Sequence, residues 1–188
     1  MKNTTLCYLE KNGAYLMLHR TKKENDINRD KWIGVGGHCE ENESPDECVR
    51  REVREETGFE LQALAYRGVV TFVSDQCEGE YMHLFTSHDF SGTMISCDEG
   101  ELAWIEKSRV SDLPIWTGDR IFLHLLAVGA PFFSLKLVYS ADTLCSASLN
   151  GRILCSDEIC SMRKSTDYPG QRVEKSRMDT GLFTSADV

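Results

Sequence analysis

Alternation of apolar and polar residues predicts most of the regular structure in the first 150 positions of this 188-residue chain. Segments 4–9 and 14–20 alternate or run apolar on either side of Asn12-Gly13, a pair that favours a tight turn between antiparallel strands. Further strands are predicted at 61–73, 81–90, 102–105, 132–139 and 143–149. Apolar residues with helical spacing predict a helix over 118–128.

A second helix is indicated between Ser44 and Gly58 by the residues at its ends. Ser44 and Glu47 have the spacing of a capping box, and Pro45 occupies the first helical position. Gly58 stands where a left-handed glycine commonly ends a helix. A glycine-rich segment, 34–37, precedes this helix and predicts a strand that ends in a tight turn.

Three glutamates lie on one face of the predicted helix, because Glu52, Glu55 and Glu56 are spaced i, i+3 and i+4. Like charges at this spacing destabilise a helix by roughly 0.2–0.5 kcal/mol per pair. A hard divalent cation would remove the repulsion, since Mg²⁺ prefers carboxylates together with substrate phosphate oxygens. A solvated helix face is the alternative, because glutamates are mostly exposed in proteins.

The spacing of the fixed residues decides between these two interpretations. It resembles the Nudix box, Gly-x5-Glu-x7-Arg-Glu-U-x-Glu-Glu-x-Gly-U, in which U is a bulky aliphatic or aromatic residue. The matching residues are Gly37, Glu43, Arg51, Glu52, Val53, Glu55, Glu56, Gly58 and Phe59. The resemblance implies an α/β fold, the Nudix α/β/α sandwich with a mixed central sheet and the Nudix loop-helix-loop. It also implies metal-dependent hydrolysis of a phosphoanhydride bond.

The resemblance further implies a set of metal ligands for Mg²⁺, with Mn²⁺ as a substitute. These are Glu52, Glu55, Glu56, the main-chain carbonyl of Gly37 and one carboxylate from a later loop. Glu99 aligns best with that later position, and Asp98 and Glu101 are alternatives. An acid in a surface turn is the simpler interpretation of each of these three residues.

Catalytic roles follow from the same resemblance. A box carboxylate, in the first place Glu52, takes the proton from the attacking water. Arg51 orients that carboxylate, and it can also pair with Glu55 one helical turn later. Glu43, in the loop, is either an auxiliary metal ligand or a residue that supports the ligands.

Outside the box, residues 2–150 resemble the MutT-like branch, which hydrolyses oxidised purine nucleoside triphosphates such as 8-oxo-dGTP to the monophosphate and pyrophosphate. Arg20 matches a basic position that contacts phosphate, and Ile33 a position that shapes the base pocket. Trp116 can stack on a purine, and Asp119 can hydrogen-bond its edge. Alternatively, Arg20 is a strand-end surface charge, Trp116 packs in the core and Asp119 favours a helix dipole.

The chain departs from the human-type oxidised purine triphosphatase at two base-reading positions. That enzyme has an asparagine at the position of Ile33 and a second aspartate at the position of Gly118.

Two other functions within the family are alternatives to a purine triphosphatase. ADP-ribose pyrophosphatases commonly carry a proline about sixteen residues after the box, whereas no proline lies between Pro45 and Pro114. Nucleotide-binding regulatory modules usually lose box glutamates, and all of them are retained.

Composition limits the partners and the compartment. The net charge of −9 argues against broad nucleic-acid binding. No apolar run approaches a membrane span, and the start of the chain lacks a signal-peptide pattern. The eight cysteines are scattered singly, which indicates reduced thiols in the cytoplasm rather than disulfides or a zinc site.

The domain boundary is placed near residue 155. Residues 1–155 are predicted to form one Nudix domain, in which the polar loop 21–31 is mobile beside the site. Residues 156–188 are predicted to be a polar, flexible C-terminal tail. The expected protein is a monomer or homodimer that acts on a small nucleotide.

Overall fold

Strands and helices follow one another in the order that the apolar pattern predicts, with short elements added between them. The computed structural model describes residues 1–22 and 26–162 of the chain. The strands are β1 (Lys2–Lys11), β2 (Ala14–Arg20), β3 (Trp32–Ile33), β4 (Phe59–Leu61), β5 (Ala65–Ser74), β6 (Glu80–Ser87), β7 (Phe90–Gly92), β8 (Gly100–Glu106), β9 (Phe133–Ser140), β10 (Thr143–Leu149) and β11 (Arg152–Ile153). The helices are α1 (Pro45–Thr57), α2 (Asp119–Ala127), α3 (Ser156–Ser161) and a 3₁₀ helix, Lys107–Asp112.

A mixed sheet runs through the centre of the molecule. In the described residues it has the order β11-β10-β9-β5-β6-β1-β2-β3, and β8 pairs with β2 as well. Strand β1 is parallel to β6, and β5 is parallel to β9, whereas the other pairs in this sheet are antiparallel. Strands β4 and β7 form a separate antiparallel pair.

Each face of the central sheet carries its own apolar core. Side chains alternate in β1, so that Leu6 and Tyr8 join the core containing Phe122 of α2. Cys7 and Leu9 point the other way and join the core containing Val53 of α1. The two helices therefore cover opposite faces of the sheet, and the predicted α/β/α sandwich is confirmed.

Two predicted strands are wrong as continuous elements. The predicted strand 61–73 is divided into β4 and β5, because the backbone N–H groups of Gln62 and Ala63 turn away to the carbonyl of Asp89. The predicted strand 81–90 is likewise divided into β6 and β7 at residues 88–89. An apolar pattern alone does not reveal such a turn, since the flanking residues remain apolar on both sides.

Helix α1 begins and ends where its sequence predicts. The Ser44 hydroxyl accepts a hydrogen bond from the Glu47 N–H, and the Glu47 carboxylate accepts one from the Ser44 N–H. Gly58 has a φ of 76°, in the left-handed region, and its N–H donates to the Arg54 carbonyl. Both ends of the helix that carries the acidic residues are thereby fixed.

The region after residue 155 begins with structure that the polar composition does not indicate. Helix α3 occupies the first part of the predicted tail, and Ile159 and Met162 pack against the core beside α2. Residues 163–188 lie outside the described part of the chain, as do residues 23–25 of the loop expected to be mobile. No helix in the described residues is long and apolar enough to cross a membrane.

Candidate active site

The glycine-rich segment lies across β1 and leads directly into the acidic helix. Val35 exchanges backbone hydrogen bonds with Cys7, at 2.7 and 3.0 Å. The carbonyl of Gly37 accepts the N–H of Thr5 at 2.8 Å. These bonds fix the turn at Gly37 against the edge of β1, and a carbonyl oxygen keeps a second lone pair for another partner.

Two glutamates of α1 meet this turn. A Cβ added to Gly37 would lie 2.5 Å from the carboxyl carbon of Glu52, so any larger residue would displace that carboxylate from its place beside the turn. The N–H of Gly36 donates to Oε2 of Glu56 at 3.1 Å. Glu56 is buried, with 8% of its surface exposed. Gly36 and Gly37 thus contact two carboxylates of the box.

Arg51 joins the remaining acidic side chains. Its guanidinium donates to both oxygens of Glu43, at 2.9 and 2.8 Å. It also donates to Oε1 of Glu52 at 2.9 Å and to Glu55 at 3.2 Å. The bidentate bond from Arg51 lowers the pKa of Glu43 to about 2, so Glu43 stays ionised and is poorly suited to accept a proton near neutral pH. Glu43 therefore holds Arg51 in position.

These side chains fit a hard divalent cation by their chemistry, since all of the donors are oxygen atoms and Glu52 and Glu56 lie beside the Gly37 turn. Within residues 1–22 and 26–162, no three histidine, cysteine, aspartate or glutamate side chains are grouped closely enough to hold an ion by themselves. Mg²⁺ does not require such a cage, because it commonly binds one or two carboxylates and completes its shell with substrate phosphates and water.

Glu99, which we expected to add a ligand, forms an ion pair with Arg20. Arg20 also binds Asp26 at 2.7 Å, and only 11% of its side chain is exposed. The structure thus joins the predicted phosphate contact, Arg20, to the predicted loop ligand, Glu99. The loop before β8 nevertheless runs close to the end of α1, because the N–H of Ile95 donates to the carbonyl of Thr57 at 3.0 Å. Burial raises the pKa of the Cys97 thiol, and the Glu56 carboxylate adds to this shift.

A cleft opens on the α2 face of the sheet. Its walls bring together the three residues predicted to read the base, Ile33, Trp116 and Asp119. The other lining residues are Leu6, Ile27, Asn28, Phe72, Cys77, Glu80 and Met82. Ile33 lies at the start of the segment that ends at Gly37, so four residues of chain connect the cleft to the box.

Trp116 both packs in the core and lines the cleft. It is 7% exposed and makes edge contacts with Phe72 and Tyr139. Its indole N–H donates to Oδ1 of Asn28 at 2.8 Å, and Nζ of Lys31 lies 4.4 Å from the ring centroid. Core packing and base stacking are therefore compatible interpretations of this side chain.

Asp119 is a buried carboxyl group in this largely apolar cleft. Burial raises its pKa from the ordinary 3.8 to about 7, and the charges of Lys31 and Arg120 oppose this shift only partly. In the described residues its carboxyl group accepts no side-chain hydrogen bond. A carboxyl group kept in such surroundings destabilises the fold, which is a property typical of binding sites.

Substituting this group should make the stability of the protein less dependent on pH. Well below pH 4 the carboxyl is protonated in both the folded and the unfolded chain. As the pH rises from about 4 to about 7, the unfolded chain ionises first and the folded state loses stability. Asp119→Asn should remove this loss, so its stability relative to wild type should increase by about 2–4 kcal/mol between pH 4 and pH 8. Denaturant unfolding at the two pH values measures the difference, and an equal effect at both would contradict the assignment.

Sequence reasoning did not identify several residues of the cleft, among them Asn28, Phe72, Glu80 and Met82. Phe72 and Met82 lie on adjacent strands, and each occurs two residues from a buried neighbour, Val70 and Leu84. Alternation within β5 and β6 could have assigned them to this face of the sheet. Asn28 had no such signal, because it lies in an irregular loop.

The fold and the box geometry together define a Nudix domain. A sequence profile of the NUDIX domain matches residues 2–126, and the chain belongs to this family of hydrolases that cleave phosphoanhydride bonds. Nudix hydrolases use divalent cations.

Similar proteins include two curated Nudix-family relatives and a solved structure of a MutT protein. The chain is 30% identical over 147 residues to the Nudix hydrolase YvcI of Bacillus subtilis, which covers 76% of this chain and 89% of that protein. It is 25% identical over 128 residues to the mouse oxidized purine nucleoside triphosphate hydrolase, covering 68% of this chain and 82% of the relative. The crystal structure of a MutT protein from Bacillus halodurans matches with a TM-score of 0.72 and 25% identity, covering 80% of this chain and 98% of that one.

Proposed function

We propose that this Nudix hydrolase converts a purine nucleoside triphosphate to the monophosphate and pyrophosphate, and that oxidised purines such as 8-oxo-dGTP are its preferred substrates. The observation that carries the proposal is the buried Asp119 carboxyl group beside Trp116, in a cleft joined to the box through residues 33–37. The similarity to a mouse enzyme named for oxidised purine triphosphates supports it.

The cleft suits a flat base that presents N–H groups. Trp116 and Phe72 provide aromatic surface. Asp119 provides carboxyl oxygens that accept no hydrogen bond from any side chain of residues 1–22 and 26–162. A base with N–H groups on its edge satisfies these oxygens, whereas a base without them leaves a buried acceptor unpaired. The 8-oxo form of guanine carries one more N–H than guanine, at N7.

Mg²⁺ is the proposed cofactor, with Glu52, Glu55, Glu56 and the Gly37 carbonyl as its ligands and Glu99 as a ligand from the later loop. A divalent cation bound there would neutralise the negative charge of the phosphate oxygens and would make the phosphorus more electrophilic. Arg20, already paired with Asp26 and Glu99, is proposed to face the phosphates.

Proton removal from water is assigned to Glu52. Arg51 donates to Oε1 of Glu52 and so fixes the plane of the carboxylate, while Oε2 receives no hydrogen bond from the described side chains. A proton acceptor held in this way has a fixed direction toward the water that it activates. Glu43 and Glu55 contribute by holding Arg51.

Product analysis tests the reaction. Incubation of 8-oxo-dGTP with the protein and Mg²⁺ should release pyrophosphate and the monophosphate in equal amounts, as measured by ³¹P NMR. Addition of EDTA should stop the release. Formation of a diphosphate and inorganic phosphate, or an unchanged rate in EDTA, would contradict the assigned reaction.

A further inference from the structure

The side of the sheet on which α1 packs is only half covered in the described part of the chain. The buried core beneath α1 takes its side chains from α1, β1, β2, β4, Val35 and Phe85 of β6, and none from β5, β9, β10 or β11. In β9 the residues that point toward α2 are buried, whereas Ser134, Lys136 and Val138, which point the other way, are exposed or half-buried. These strands are therefore covered by α2 on one side and open on the other.

Strand register shows which side chains share the open side. Strand β5 is in register with both β9 and β6, and β10 and β11 continue the sheet beyond β9. The resulting surface, which we call the open face, includes Val69, Val73, Tyr81, Lys136, Val138 and Ile153. Parallel strands are usually buried on both sides, and β5 and β9 are parallel. The open face is thus a surface that a partner is expected to cover.

Large apolar side chains are exposed on the open face. Phe132, immediately before β9, is 58% exposed and lies edge-on to Tyr66, with ring centroids 5.2 Å apart. Ile153 of β11 is 75% exposed. Tyr66 in turn stacks on the buried Phe85 at 4.7 Å. Exposed aromatic and aliphatic residues that adjoin one another are typical of a contact surface between proteins.

The open face carries little charge in a strongly acidic protein. The chain has a formal net charge of −9. Among the side chains of β5, β6, β9, β10 and β11 that point to this side, Lys136 is charged and none is an aspartate or glutamate. Two copies of an acidic protein repel each other, but these strands bring no carboxylates together when two open faces meet. The charge distribution therefore favours a second copy of this chain as the partner.

The end of the described chain lies on the other side of the sheet. Ile159 of α3 and Met162, directly after α3, pack against the core on the α2 side. Met162 is the last described residue. The direction in which the chain leaves the fold thus favours a separate molecule, rather than residues 163–188, as the cover of the open face.

Helix α1 gives the open face a shape that matches itself. A helix is about 10–12 Å across, and two packed sheets lie about 10 Å apart. A second open face at that distance fills the layer beside α1. A two-fold axis parallel to the strands would place the two α1 helices at opposite ends of the contact, each beside the β11 edge of the other copy.

We propose that two copies of this chain associate through their open faces and form a two-fold symmetric homodimer. Five strands with about six residues each form a surface of roughly 24 by 20 Å, or about 500 Å² in projection. With the flank of α1 against the edge of the other copy, the contact approaches the roughly 800 Å² per partner that stable interfaces bury. The cleft lies on the α2 side and stays open to solvent in this dimer.

Sedimentation velocity of the full-length protein tests the association. The mass should be twice 21.3 kDa, with a dissociation constant of about 1 μM or below. Phe132→Glu and Val138→Glu should each raise this constant at least about 100-fold, because each places carboxylates in a desolvated contact. Phe132 is largely exposed, so its variant should keep the thermal unfolding of the wild-type monomer. Met94→Glu, an exposed position between β7 and β8, is the control and should leave the constant within about twofold of wild type.

Hydroxyl-radical footprinting locates the contact. Oxidation of Tyr66 and Tyr81, which are both exposed in the single chain, should fall at least about threefold as the protein concentration rises through the dissociation constant, whereas Met94 should not change. A monomer at all concentrations up to about 100 μM would overturn the proposal. So would a dimer that both glutamate variants leave intact. Protection of Tyr66 that does not depend on concentration would mean that the same chain covers the open face, and it would also overturn the proposal.

Discussion

Replacing Glu56 or Glu52 with glutamine is expected to lower kcat for pyrophosphate release about 10³-fold. The substitution keeps the shape of each side chain and removes the negative charge that binds a cation. Oε1 of a glutamine at position 56 can still accept the N–H of Gly36, so the turn should be preserved. At position 52 the change removes the proposed proton acceptor as well.

A matched substitution separates this effect from a general loss of acidic charge. Glu60→Gln removes an exposed glutamate of β4 that pairs with Arg54. It should leave kcat within about twofold of wild type, because surface ion pairs contribute little to stability and the Glu60 carboxylate pairs with Arg54, which is not one of the fixed box residues. Wild-type rates in both Glu52→Gln and Glu56→Gln, with normal thermal unfolding, would show that the active site has been placed wrongly.

Replacing Asp119 with asparagine is expected to lower kcat/KM for the preferred purine triphosphate about 10–100-fold, chiefly through a higher KM. We propose that the carboxyl group contacts the base and not the phosphates, so kcat should change little. Asparagine presents an N–H₂ group in place of one acceptor oxygen, and this group faces the N–H donors of the base. The stability of the variant relative to wild type should at the same time increase between pH 4 and pH 8, because the variant lacks the carboxyl group whose pKa is raised in the folded wild type.

The combination of higher stability and weaker binding distinguishes a binding group from a packing group. If Asp119 only packed in the core, its substitution would lower the stability of the protein and would leave KM unchanged. Asp142→Asn, in the exposed turn between β9 and β10, serves as the control and should alter neither quantity. An unchanged KM in Asp119→Asn would show that Asp119 has only a structural role, as an acidic residue at the start of a helix.

Local signals were sufficient to predict the acidic helix and its ends. Capping depends on residues within one helical turn, and Ser44, Glu47 and Gly58 carry it completely. The contact between Arg51 and Glu55 follows equally from their spacing. The hairpin of β1 and β2 is set by the Asn12-Gly13 turn, at which both residues have positive φ.

Contacts between distant segments could not be predicted in the same way. Arg20 and Glu99 are 79 residues apart, and their ion pair arises because β2 and β8 pair in register. Asn28 meets Trp116 across 88 residues, through a loop without a repeating pattern. The backbone N–H groups of Gln62 and Ala63 donate to the carbonyl of Asp89, and these bonds interrupt the predicted strands 61–73 and 81–90. The apolar spacing of these segments does not reveal the interruption.

A comparison of kcat/KM for 8-oxo-dGTP, dGTP, dATP and ADP-ribose in the presence of Mg²⁺ tests the central claim most directly. The buried Asp119 carboxyl group and the aromatic cleft lead us to expect the highest value for 8-oxo-dGTP, at least tenfold above dGTP, with ADP-ribose the poorest substrate. Equal values for 8-oxo-dGTP and dGTP, or a preference for ADP-ribose, would contradict the proposed function.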